Sequence, residues 1–157
     1  MKKFELTNEF VTNMFGTKLF RIRALVEFGD VEAGELGGYV EKESNLGHDD
    51  NAWVYGNAQV SGDARVCGDA RVCGNGDYAY AHGFGSVNRT TTFFRLKDGG
   101  VGVRCGCFYG TLAQFRDKIR ETHGETKKAQ EYLMLADLME LRFEEDENEV
   151  GNRKYVE

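Results

Sequence analysis

Residues 51–74 hold four hexads in tandem: Asn-Ala-Trp-Val-Tyr-Gly, Asn-Ala-Gln-Val-Ser-Gly, and Asp-Ala-Arg-Val-Cys-Gly twice. Val54, Val60, Val66 and Val72 recur every six residues, with Ala52, Ala58, Ala64 and Ala70 in step. An α-helix cannot keep these positions on one face, because six residues turn it by about 600° and carry each repeat about 120° from the last. A short strand and a turn per hexad can keep them together. Three such units close one triangular coil of about 18 residues, with valine inside and alanine at the tight corner. Glycine with Asn or Asp then supplies turns of positive φ. The chain's 20 glycines and absence of proline suit such repeated turns. An ordinary β-meander is the competing arrangement.

The hexads resemble those of the hexapeptide-repeat, left-handed β-helix family, closely over 51–74 and more loosely across 36–85. The resemblance implies two to three coils and a tendency to pack as trimers. The expected class is α+β, in four parts. N-terminal strands occupy 1–35, a short left-handed parallel β-helix 36–86, a β-hairpin with two α-helices 87–143, and an acidic disordered tail 144–157.

The flanking elements follow from local patterning. Phe20, Ile22, Ala24 and Val26 alternate with more polar residues, as in a half-buried strand after a turn at 13–16. Strand-like stretches at 90–96 and 101–108 flank Lys97, Asp98, Gly99 and Gly100, a hairpin turn. Thr111 and Gln114 have capping-box spacing, Leu112, Phe115 and Ile119 form an apolar stripe, and Gly124 stops a helix predicted over 112–123. A second helix is predicted over 126–143. Ala129, Tyr132, Leu133, Ala136, Met139 and Phe143 make one stripe, which Met134, Leu135, Leu138 and Leu141 widen past half the circumference. Such a helix buries a second face, which points to another subunit.

Formal net charge is −6, which argues against generic binding to DNA or RNA. No apolar run is long enough to span a membrane. The first five residues lack a signal peptide's apolar stretch, so a cytoplasmic protein is expected. Cys67, Cys73, Cys105 and Cys107 match no standard zinc spacing and are read as reduced thiols. No metal, cofactor or catalytic set is expected.

The residues with chemical potential lie mostly after 90. Arg116 and Arg120 stand four apart on the first helix, where like charges repel unless an anion joins them. Their planar donor forks suit phosphate, and His123 lies near the same edge. Asp117 and Glu121 could equally neutralise them on a solvated face. Phe93 and Phe94 point to opposite faces of a strand, so one is expected in the core and the other outside. The outer ring, beside Arg95 or Arg104, could stack a nucleobase or pack an oligomer. His48 and His82 flank the repeat. Either would be the general base if the chain were an acyltransferase using acyl-CoA, as many hexapeptide enzymes are.

Three stretches carry a second resemblance. They are Thr-Thr-Thr-Phe-Phe-Arg (90–95), Cys-Gly-Cys-Phe-Tyr-Gly-Thr-Leu-Ala-Gln-Phe-Arg-Asp-Lys-Ile-Arg-Glu-Thr-His-Gly (105–124) and Tyr-Leu-Met-Leu-Ala-Asp-Leu (132–138). Over about 87–143 the chain is similar to the phage anti-Thoeris sponge family. The resemblance implies a protein that sequesters a cyclic ADP-ribose-type immune signal without cleaving it, and in some members cyclic di- or trinucleotides. It implies that Arg116 and Arg120 grip a diphosphate and that Phe93 or Phe94 stacks the base. Arg95, Arg104 and His123 would assist. It also implies pockets between subunits of a homo-oligomer. The trimer tendency of left-handed β-helices, joined to a dimer contact on the second helix, sets the expected assembly as a trimer or a hexamer. The other readings are the acyltransferase and a structural trimerisation module.

Overall fold

The computed structural model describes residues 2–85 and 89–144; the acidic stretch 145–157, expected as a tail, lies outside them. Among the described residues, ten strands precede two helices. They are β1 (Phe4–Thr12), β2 (Lys18–Ala24), β3 (Leu36–Val40), β4 (Trp53–Val54), β5 (Gln59–Val60), β6 (Arg71–Val72), β7 (Tyr78–Phe84), β8 (Arg89–Arg95), β9 (Val101–Cys105), β10 (Phe108–Thr111), α1 (Leu112–His123) and α2 (Lys127–Phe143). The class is α+β with strands predominating.

The left-handed β-helix expected over 36–86 is not what forms. The strands make two four-stranded sheets, β1-β2-β3-β5 and β10-β9-β8-β7, and one two-stranded pair, β4-β6. All pairs of longer strands are antiparallel. Parallel pairing is confined to stretches of two residue pairs, β3 with β5 and β4 with β6, and one bridge between Leu46 and Val66. The two ends of the repeat segment are captured by its neighbours. β3 pairs with β2, and β7 pairs with β8. A backbone edge satisfied by an antiparallel neighbour is closed to further coils.

The hexad spacing still sets what is buried. All four valines and all four alanines of the repeat lie in one core with Phe4, Ile22, Trp53 and Phe94. Gly56, Gly62 and Gly68 end successive hexads at φ of 59°, 66° and 67°. Only glycine takes that backbone without strain. The N-terminal strand is tied to the first hexad by Lys3. Its Nζ donates to Ala52 O at 2.6 Å and pairs with Asp50 at 3.2 Å, although the residue is only 3% exposed. Burial pushes the Lys3 pKa down, with Asp50 opposing.

The second core lies between the β10-β9-β8-β7 sheet and the helices. Phe93, Val103, Phe115, Ile119, Tyr132 and Phe143 belong to it. The sheet's opposite face carries the repeat segment. Tyr78 Oη accepts from the Ser61 N–H, Thr92 Oγ1 from the Arg65 N–H and Tyr109 Oη from the Asp69 N–H. These side chains satisfy backbone donors at the repeat's turns, which have no strand partner there. The sheet is therefore covered on both faces. β7 and β8 form one hairpin across the boundary expected near 86. Among the described residues, no helix is long and apolar enough to cross a membrane.

Candidate functional site

α1 starts where its sequence signals a start. Thr111 Oγ1 accepts from Gln114 N at 3.2 Å, and Gln114 Oε1 accepts from Thr111 N at 2.9 Å. This closes a reciprocal capping box. Gly124 ends the helix at φ 59°. The cap fixes the helix's rotation on the sheet. Phe115, Lys118, Ile119, Thr122 and His123 follow i, i+3, i+4, i+7, i+8 spacing and share one side.

That side borders a groove of about 580 Å³, within the usual range for small-molecule sites. Its floor is Cys105, Phe115, Ile119 and Tyr132, all buried. Phe108 forms an aromatic wall, tilted at 49° to Phe115 with ring centres 5.9 Å apart. Arg89, Lys118 and His123 supply its basic groups, and among the described residues no carboxylate lines it. Among the described residues, neither Arg89 nor Lys118 has an acidic partner within ion-pair distance. In a chain of net charge −6, this is a local concentration of positive charge without internal compensation. The His123 ring stacks on Tyr132 at 5.9 Å.

Arg89 reaches the groove over the β9–β10 turn. A Cβ placed on Gly106 would lie 2.1 Å from Arg89 Nη1, and Gly106 has φ 59°. Both the turn and the arginine's approach require glycine there. Tyr132 lies below, its hydroxyl 3.8 Å from the Cys105 thiol. Burial, reinforced by Cys105, pushes the Tyr132 pKa to about 12, with Arg89 opposing the shift.

A second groove of about 510 Å³ lies at the repeat, lined by Asp30, Asp69, Asp98, Arg71 and Lys97 among others. There the charges meet one another. Arg71 and Lys97 both pair with Asp30, at 3.6 and 3.4 Å.

Of the ligand residues expected from sequence, only His123 lines the basic groove. Phe93 and Phe94 are both 0% exposed. The expectation that one ring stays outside fails because this sheet has a layer on each face. The Arg116 guanidinium turns to α2, where it meets Asp137 at 2.9 Å and Glu140 at 3.3 Å. Its pKa is raised mainly by the hydrogen bond to Asp137. Arg120 pairs with Asp117 at 3.6 Å, so its charge is partly met within the helix. Arg95 pairs with Asp77 and lies 5.3 Å over the Phe143 ring, a structural position. Arg104 donates to Gly106 O at 2.8 Å, and its Nη1 lies 3.8 Å from Cys67 Sγ on the repeat side of the sheet.

The flanking histidines hold backbone and strand positions. His48 stacks on Phe4 at 4.3 Å, and its Nδ1 accepts from the Lys3 N–H. His82 Nδ1 lies 2.7 Å from Thr90 Oγ1. Sequence reasoning missed Arg89, Lys118, Phe108 and Tyr132 as a group. The available signal was the helical spacing from Phe115 to His123 beside a Cys-Gly-Cys turn. Arg89 had none, because its place depends on strand pairing. No family model matches this chain, and no curated protein matches it.

Proposed function

We propose that this protein binds a phosphorylated cyclic nucleotide in the groove beside α1 and sequesters it without cleavage. The ligand is of the cyclic ADP-ribose type, or a cyclic di- or trinucleotide, and the protein acts as a phage sponge against a bacterial immune signal. The observation that carries this reading is the uncompensated set of Arg89, Lys118 and His123 around an apolar floor. Arg89 offers a planar fork to a phosphate, and Lys118 offers a mobile point charge. Phe108 offers a ring edge or face to a base, in place of Phe93 or Phe94. Sequestration needs tight binding and no nucleophile, and these residues are binding groups.

The test mixes purified protein with glycocyclic ADP-ribose and measures free signal before and after heat denaturation. The expected result is loss of free signal, then its return intact. An R89A/K118A variant should leave the signal free, while R116A/R120A should still remove it. Loss without return of intact signal would make the protein an enzyme and overturn sequestration. A signal that stays free with wild-type protein would overturn this ligand. Equal capture by R89A/K118A would overturn the site.

A further inference from the structure

α2 buries one face on its own domain and leaves a second apolar stripe bare. Ala129, Tyr132, Ala136, Met139 and Phe143 are buried. Met134, Leu138 and Leu141 are 70%, 54% and 67% exposed. Their spacing of four and three keeps them on one line about 10 Å long. Three large apolar side chains in a row are more than the scattered singles of an ordinary surface.

We propose that this stripe is the contact between two copies of the chain, packed with their α2 helices antiparallel about a two-fold axis near Leu138. The flanking charges carry the choice of occupant. Glu131 and Arg142 lie on the same flank of the stripe, on opposite sides of Leu138. An antiparallel two-fold places Glu131 of one copy beside Arg142 of the other, twice, about 3 Å apart along the axis. Neither has an ion-pair partner within its own chain among the described residues. The same symmetry brings Asp137 near its own copy on the other flank, where two acids would repel. Arg116 already neutralises it there. Met134 then meets Leu141 of the other copy, and Leu138 meets its counterpart. A parallel pair would instead put this flank of the two copies on opposite sides of the contact and leave Glu131 and Arg142 about 16 Å apart along the axis, unable to pair. Two-helix contacts choose orientation by such flanking charges. This inference does not depend on the ligand.

The experiment is analytical ultracentrifugation of the full chain from low micromolar to several hundred micromolar. The expected mass is twice the 17.7 kDa of one chain, with a concentration-dependent fall to one. Leu138→Glu should give a single chain throughout with an unchanged circular dichroism spectrum. Glu131→Arg should weaken the pair at least tenfold, and adding Arg142→Glu should restore it. A single-chain mass for wild-type protein at every concentration would overturn the proposal. So would a larger assembly unmoved by Leu138→Glu, or a double charge reversal that fails to restore pairing.

Discussion

Phe93 and Phe94 are adjacent in β8 and both fully buried, yet they belong to different cores. Phe93 packs edge-on against Phe115 at 6.0 Å, and Phe94 stacks with Tyr109 at 6.2 Å. Each replacement by alanine should destabilise the chain by about 3–5 kcal/mol, through lost burial and a cavity. The rings stack on different aromatics in different cores, so their effects should add. Additivity is best read by urea denaturation of the milder Phe93→Leu, Phe94→Leu and double variants. A coupling above about 0.5 kcal/mol would show that the two cores respond as one.

Asn45 is a buried polar residue whose hydrogen bonds hold the entry to the repeat. Its Nδ2 donates to Gly62 O at 3.0 Å and Ala64 O at 2.9 Å, and its Oδ1 accepts from Lys42 N at 2.9 Å. Asn45→Ala strands these backbone groups and should cost at least about 1–3 kcal/mol, the penalty for one unsatisfied buried group, because the Ala64 carbonyl is left buried without its donor. Asn45→Asp should be worse at pH 7, because a carboxylate would face two carbonyl oxygens. Burial and those oxygens would raise its folded pKa above the ordinary value of about 3.9. Stability would then be lost as pH rises through that raised pKa and regained on acidification. Thermal melts of the two variants from pH 4 to pH 8 check this, and an Asp variant without acid recovery would contradict it.

Tyr132 ties stability to alkaline pH. Its folded pKa is raised to about 12 by burial and the Cys105 thiol, against about 10 for a free tyrosine. The folded chain keeps this proton where the unfolded chain loses it. The stabilisation is complete below about pH 10 and declines as pH rises through about 12. Tyr132→Phe should lower the slope of melting temperature against pH over that window. An unchanged slope would show that the hydroxyl is not the titrating group.

Much of the local structure was legible because local patterning encodes it. The hexad period named the buried valines and alanines, and Thr111 with Gln114 named the start of α1. That α2 carries apolar residues past one face was also readable from helical spacing, but the separation of Met134, Leu138 and Leu141 as an exposed line came from the fold. The candidate site was legible only at His123. Arg116 and Arg120 have the spacing of an anion clamp, but spacing along one helix does not reveal the acids that a neighbouring helix brings. Asp137 and Glu140 took Arg116.

The sequence by itself determined which residues turn inward, because periodicity and turn chemistry act over a few neighbours. It also determined where the two helices begin and end, whereas the stretch 101–108 expected as one strand is broken by a turn between β9 and β10. Tertiary structure decided which backbone edges pair, because that is a competition among segments distant along the chain. β2 and β8 won the ends of the repeat, and one antiparallel and one mixed sheet formed in place of stacked coils. Tertiary structure also put a layer on each face of β8, burying both phenylalanines. It carried Arg89 across β8 and β9 to meet Lys118 and His123, a juxtaposition that exists only once the sheet and α1 have packed.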